Sequence, residues 1–263
     1  MNILDQIINH KRKEVTERKA RVSTEELTGY ELFQRPVNSL KSSILNGNGV
    51  IAEFKRKSPS AGLFNGRELN EVIQKYESAG VSGCSILTDF KFFGGTISDL
   101  VAARNITQRP ILRKEFIIDE YQLFEAKAHG ADAVLLIAAV LDNYHATHLT
   151  TIANSIGLEV LMEFHAENEL EKLNDGVDII GVNNRNLDTL ETTLETSERM
   201  LRHLPFNAVK ITESGIHQPA ELKYMYDIGF DGCLIGESLL NTEGLIDDMI
   251  TEINHLKLMK NAY

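Results

Sequence analysis

The chain has 263 residues, 43% of them hydrophobic, and a formal net charge of −11. That length allows one or two domains and a sizeable core, and an acidic chain with no basic stripe or Lys/Arg-rich tail argues against nucleic acid as a partner. Any anionic substrate must be held by a local cluster of positive charge, and with no apolar run of transmembrane length no membrane partner is expected.

The first ten residues carry Leu4, Ile7 and Ile8 and then turn into Lys11-Arg12-Lys13-Glu14. The apolar stretch is too short for a signal peptide. Ile3, Leu4, Ile7 and Ile8 recur at helical spacing, and residues 14–20 continue as a charged helix. Ser23-Thr24-Glu25-Glu26 reads as a second helix start. From residue 50 the rhythm changes. Short apolar runs rich in β-branched residues fall at 50–54, 83–88, 110–113, 133–137, 159–164, 179–183, 208–213 and 232–235. Amphipathic patterns lie between them. Several close on Ala79-Gly80, His129-Gly130, Ile156-Gly157 or Ile228-Gly229, and glycine is the expected stop just past a helix end.

Eight strands in βα alternation predict an α/β fold, a single (β/α)8 TIM barrel with extra N-terminal helices. Residues 1–48 form the helical extension and 49–263 the barrel. An open doubly wound sheet is the alternative. Gly47-Asn48-Gly49-Val50-Ile51-Ala52 matches G-x-G-x-x-A, but it precedes a strand, where a dinucleotide site needs it to follow one.

Barrels carry their active sites at the C-terminal ends of the strands. Those ends read Glu53 and Lys55, Asp89, Arg113 and Lys114, Glu163, Asn183 and Arg185, Glu213-Ser214-Gly215, and Gly236. Strand alternation puts Glu53 and Lys55 on the same side, a carboxylate beside an ammonium; a partly buried edge-strand ion pair is the bland alternative. Thr212-Glu213-Ser214-Gly215-Ile216 and Leu234-Ile235-Gly236-Glu237-Ser238 read as halves of a phosphate clamp. Glycine lets backbone N–H groups approach an anion, and a short helix opening at Ser238 would aim its positive end there. Two ordinary βα turns are the alternative. Lys55, one strand away around the ring, could add a charge-assisted contact.

Lys114 and Glu163 are the candidates for proton transfer. Burial would raise the carboxyl and lower the amine, bringing both toward working pH; a surface lysine is the competing reading of Lys114. Asn183 and Arg185 share a face and could bind a hydroxyl and a carboxylate. Phe90, Phe92 and Phe93 read as an apolar wall for an aromatic substrate, in preference to a plug. His145 and His148 lie i, i+3 with no third ligand in view, so no metal is expected. Cys84 and Cys233 read as small core residues, which fits a reducing cytoplasm.

Taken together, these residues resemble the indole-3-glycerol-phosphate synthase family. The markers are Ile51-Ala52-Glu53-Phe54-Lys55-Arg56-Lys57-Ser58-Pro59-Ser60, Leu87-Thr88-Asp89 with Phe92-Phe93-Gly94-Gly95, Arg113-Lys114-Glu115-Phe116, Gly181-Val182-Asn183-Asn184-Arg185-Asn186-Leu187, and Thr212-Glu213-Ser214-Gly215-Ile216. They span nearly the whole chain. The resemblance implies conversion of 1-(2-carboxyphenylamino)-1-deoxyribulose 5-phosphate to indole-3-glycerol phosphate, carbon dioxide and water, with no cofactor and no metal. It implies that Lys114 is the general acid that protonates the ketone during ring closure, and that Glu163 is the general base in the later loss of water. Lys55 would contact the carboxylate or the phosphate region and is a second candidate for proton work. Glu53 would orient Lys55 or Lys114 and stabilise a cationic intermediate. Asn183, Arg185, Glu213 and Ser214 would complete the polar wall. Ser58, Gly215, Gly236 and Glu237 match phosphate-contacting positions, the last two through backbone. Phe93, Phe116 and Leu135 complete the substrate-binding set.

Two departures stand out. Glu237 puts an acidic side chain beside the expected phosphate, so it must point away, and Asn184 stands where other members often have Ser. A cytoplasmic monomer with a small phosphorylated substrate is expected, with no second enzyme fused after the last helix. Another phosphosugar barrel, such as phosphoribosylanthranilate isomerase, would share the clamp but not Glu53, Lys55, Lys114 and Glu163. A non-catalytic metabolite sensor would keep Gly215 and Gly236 without needing Lys114.

Overall fold

The computed structural model describes residues 2–59, 62–64, 68–187 and 189–260, with side chains through residue 255; Ser60 of the basic loop lies outside the described residues. Eight parallel strands close into a barrel: β1 (Val50–Phe54), β2 (Gly83–Leu87), β3 (Ile111–Lys114), β4 (Ala133–Ile137), β5 (Glu159–Phe164), β6 (Ile179–Asn183), β7 (Val209–Glu213) and β8 (Gly232–Ile235). Each pairs with its sequence neighbours, and β8 returns to β1 with Ala52 opposite Ile235. Closure removes the exposed edges that an open sheet would leave, and the doubly wound alternative is set aside.

The two-residue period of the strands sorts their side chains into two cores. Val50, Ala52 and Phe54 of β1 and Val134 and Leu136 of β4 face the surrounding helices. Ile51, Leu112, Leu135, Leu161, Ile211 and Leu234 fill the barrel interior. Each such fully buried aliphatic side chain stabilises the fold by about 1.5–3 kcal/mol. Continued one step further, the inward register delivers Glu53, Lys114, Glu163, Asn183 and Glu213 to the C-terminal mouth. Arg113 takes the outward register and is fully buried; it donates to the Gln122 carbonyl (2.8 Å), Thr88 Oγ1 (3.0 Å) and Glu125 Oε2 (2.6 Å). It is therefore a structural arginine, away from the mouth where its place at a strand end had suggested it.

The N-terminal segment holds the barrel at both ends. Helix α1 (Ile3–Arg21) starts on a capping box between Asn2 and Asp5 and lies over the mouth. Its Lys11 is 1% exposed and sits 2.9 Å from both Asp89 and Glu115. Ser23 caps the second helix as expected. A third helix, Leu40–Asn46, inserts Leu40 and Ile44 into the interior cluster at the opposite end. Its signal was slight: an N-cap Ser39 and two apolar residues four apart. Between β5 and β6 the connection is a 3-10 helix, Glu167–Lys172, where an amphipathic α-helix was expected. Gly49 before β1 has φ +76°, and a Cβ there would run into the Asp231 carbonyl and the Tyr226 hydroxyl, so close packing accounts for that glycine. Cys84 and Cys233 are free and buried, and burial pushes the Cys84 thiol up to about 12.

Candidate active site

A cavity opens at the C-terminal mouth, between the ends of the strands and the apolar face of α1. Of the sequence candidates, Glu53, Lys55, Ser58, Phe93, Lys114, Phe116, Leu135, Glu163, Asn183, Arg185, Ser214, Gly215, Gly236 and Glu237 all line it. Glu213 lies just behind and reaches the cavity through Lys114.

Lys114 stands at the centre. Its Nζ donates to Glu213 Oε2 at 2.5 Å and to Glu163 Oε2 at 3.3 Å, and lies 4.0 Å from Glu53 Oε2. Lys55 pairs with the other Glu53 oxygen at 2.8 Å and rests over the Phe64 ring, 5.7 Å from its centroid. Burial alone would push the Lys114 ammonium down, but Glu213, Glu163 and Glu53 outweigh it and hold the amine well above the usual lysine value. Burial likewise works to raise Glu163 and Glu53, yet Lys114 and His165 hold Glu163 far down, and Lys55 and Lys114 hold Glu53 low. Both directions for Lys114 and Glu163 are the reverse of those expected from burial. The carboxyl that burial does raise is Glu213, to about 7, where the negative charge of Glu163 adds to burial against the pull of Lys114. Gly181 of β6 makes room for that carboxylate, since a Cβ there would run into Glu213 Oε1. The sequence marks this position only as a glycine inside an apolar strand.

Three cations, Lys55, Lys114 and Arg185, do gather at this mouth. Each faces a carboxylate: Glu53, the Glu163 and Glu213 pair, and Glu237 at 3.5 Å. Glu237 thus turns to Arg185 and stays on the cavity wall. Backbone N–H groups remain the natural anion donors. At the end of β7, Ser214 (φ 64°) and Gly215 (φ 80°) take successive left-handed conformations, a strained turn of the kind found at ligand sites. Asn184 holds that turn: its amide donates to Thr212 Oγ1 (2.8 Å) and to the Ser214 carbonyl (3.0 Å), and its oxygen accepts from the Ser197 N–H (3.0 Å). After β8 the short helix is Glu237–Asn241, opening one residue before the expected Ser238, whose hydroxyl instead donates to the Ile216 carbonyl at 2.7 Å.

The aromatic wall is narrower than the sequence implied. Phe93 lines the cavity with Phe116, their ring centroids 5.9 Å apart. Phe92 packs edge-on against His10 of α1, and Phe90 is 67% exposed. Asp89 caps this turn by accepting from the Phe92 N–H and is bound by Lys11, so it too faces away from the cavity. The share of the apolar wall given by Ile3, Leu4 and Ile7 of α1 was not anticipated; their helical spacing was legible, but not what that face would cover. Asn183 Oδ1 accepts from the Arg185 backbone N–H at 3.0 Å, and both residues line the cavity. His145 and His148 sit on a surface helix, paired with Asp142 and Glu120, and among the described residues no group of metal ligands is assembled.

A closed TIM barrel with its charged side chains gathered at the C-terminal mouth defines a barrel protein built for chemistry on a small molecule. Solved structures share the architecture: a thiamine phosphate pyrophosphorylase from Pyrococcus furiosus (TM-score 0.61, 13% identity, 83% of this chain and 99% of that one) and a tryptophan synthase α subunit from Legionella pneumophila (TM-score 0.60, 12% identity, 83% and 100%). At such identities they speak for the fold alone. The family model for indole-3-glycerol phosphate synthase matches residues 4–252. A relative of that name from Bacteroides thetaiotaomicron is 46% identical over 243 residues, covering 92% of this chain and 94% of the relative. One from Caldanaerobacter subterraneus is 39% identical over 255 residues, covering 95% and 98%. The chain belongs to the indole-3-glycerol phosphate synthase family. No helix among the described residues is long and apolar enough to cross a membrane.

Proposed function

We propose that this cavity closes the indole ring of 1-(2-carboxyphenylamino)-1-deoxyribulose 5-phosphate, releasing carbon dioxide and then water, as a carbon–carbon lyase of tryptophan biosynthesis. The observation that carries the reading is the Lys114 ammonium held among Glu213, Glu163 and Glu53. Attack of an aromatic carbon on a ketone needs a proton at the oxygen and negative charge beside the developing iminium. Lys114 supplies the proton; Glu53, kept ionised by Lys55 and Lys114, supplies the charge, and Glu213 holds Lys114 from the far side of the barrel. Phe93, Phe116 and Leu135 form a slot for the aromatic ring. Arg185 or Lys55 meets its carboxylate. Ser58 and the backbone at Gly215, Gly236 and Glu237 take the phosphate, while Asn183 and Ser214 complete the polar wall.

The depressed carboxyl of Glu163 fits a two-step sequence. While Lys114 is charged, Glu163 is a poor base. Once Lys114 has given its proton to the ketone oxygen, one of the cations beside Glu163 is gone. Burial then raises its affinity for the proton lost during dehydration. The working unit is a single domain, helical extension 1–48 and barrel 49–263, acting as a cytoplasmic monomer.

The test is indole fluorescence on adding the purified protein to the carboxyphenylamino-deoxyribulose phosphate in the presence of EDTA. A rise supports ring closure and decarboxylation without a dissociable metal. Silence with binding still seen by calorimetry favours a metabolite sensor, and silence without binding overturns the substrate.

A further inference from the structure

Glu163 is approached from two sides. Its Oε2 faces Lys114; its Oε1 lies 3.2 Å from His165 Nε2. The His165 side chain is 10% exposed, and its Nδ1 lies 3.9 Å from Glu169 Oε2. Glu169 is itself fixed, accepting from the His165 N–H at 2.7 Å and the Ala166 N–H at 3.3 Å. The ring is therefore sandwiched between carboxylates, with Glu213 also acting on it from β7. It is not part of the cavity wall and would not touch substrate.

The charges at the mouth give this arrangement a task. The single Lys114 ammonium is shared among Glu213, Glu163 and Glu53, while Lys55 is taken by Glu53 and Arg185 by Glu237, so Glu163 has no cation of its own on that side. Burying an unmatched charge is costly. We propose that His165 is a positioning residue for Glu163: its imidazolium supplies a second cation beside that carboxylate, opposite Lys114, and fixes it, ionised and oriented, for its role as proton acceptor. Burial works against a charged ring, but the Glu163 contact, with Glu169 and Glu213 behind it, outweighs burial and raises His165 above the usual histidine value. When Lys114 loses its proton, His165 is the cation that remains on Glu163. Lys114 beyond Glu163 and the Asn183 amide beside it complete the polar groups around the pair.

The inference rests on the reading of Glu163 as the base, so the experiment separates the two. In the unaltered protein, 15N-histidine NMR titration should show the His165 ring still doubly protonated above its ordinary value of about 6.5; a ring already neutral below that overturns the proposal. In turnover, His165→Leu should lower kcat by about 10-fold or more with little change in KM, and move the acid limb of the kcat–pH profile upward, because Glu163 loses a cation. His165→Gln, which keeps a hydrogen-bond donor without charge, should restore much of kcat but not the acid limb. A fall in kcat with an unmoved limb and no rescue by Gln reads as lost packing and overturns the proposal. Glu163→Gln is run beside them. Full activity there would overturn the base reading itself, whereas loss there with an unaffected His165→Leu overturns only the role of His165.

Discussion

Lys114 Nζ and Glu213 Oε2 stand 2.5 Å apart at the ends of β3 and β7, strands on opposite sides of the barrel. The contact spans the interior and ties an ammonium to a carboxyl that burial has made reluctant to ionise. Glu213 has its folded-state value raised to about 7 from an ordinary 4.5. A carboxyl raised in this way contributes stability that is fully present below the ordinary value and is lost as pH rises through about 7. The urea midpoint of the parent should therefore fall more between about pH 5 and pH 8 than that of Glu213→Gln, in which this group cannot titrate. Equal falls would mean that Glu213 is ionised throughout.

Removing Lys114 takes away the proposed proton donor without touching the phosphate or ring contacts. Lys114→Ala should lower kcat by about 10²–10⁴-fold and leave substrate binding, read by calorimetry, largely intact. Unchanged turnover would sink the general-acid assignment.

Gly236 is placed so that a methyl group would stand 2.5 Å from Glu53 Oε1 and 3.1 Å from Glu53 Cβ. Gly236→Ala should displace Glu53 from Lys55, lower kcat, and cost about 1–3 kcal/mol in urea unfolding. A variant with parent-like stability and turnover would show that the mouth yields without penalty.

Lys11 is the most deeply buried of the charged groups that tie α1 to the barrel. Lys11→Met keeps the length and apolar stem but strands Asp89 and Glu115, which each lie 2.9 Å from the ammonium. Loss of one partner from a buried ion pair costs about 3–5 kcal/mol, so the urea midpoint should drop accordingly. A loss below about 1 kcal/mol would mean that the carboxylates find other partners or water.

Strand positions and their inward register were readable because apolar runs and two-residue alternation are local properties. That was enough to bring Glu53, Lys114, Glu163 and Asn183 to one mouth. What depends on distant pairing was not readable. The sign of the Lys114 shift reverses because Glu213, 99 residues further on, reaches its ammonium. Phe90 and Phe92 miss the cavity because the Asp89-capped turn, Phe90–Phe93, points its side chains in different directions. His165 directly follows β5, two residues after Glu163 as Lys55 follows Glu53; what the local pattern does not show is that its ring turns back onto the carboxylate. The helix Leu40–Asn46 is seven residues long, too short for periodicity to stand out.

The lining of this cavity comes from chain made at very different times during synthesis. Ile3, Leu4 and Ile7 emerge first, Glu53 soon after, and Gly236, which meets Glu53, near the end. A nascent chain halted before β8 has Glu53, Lys114, Glu163 and Glu213 yet lacks the strand that closes the barrel around them. The mouth is therefore whole only when the last strand docks beside the first.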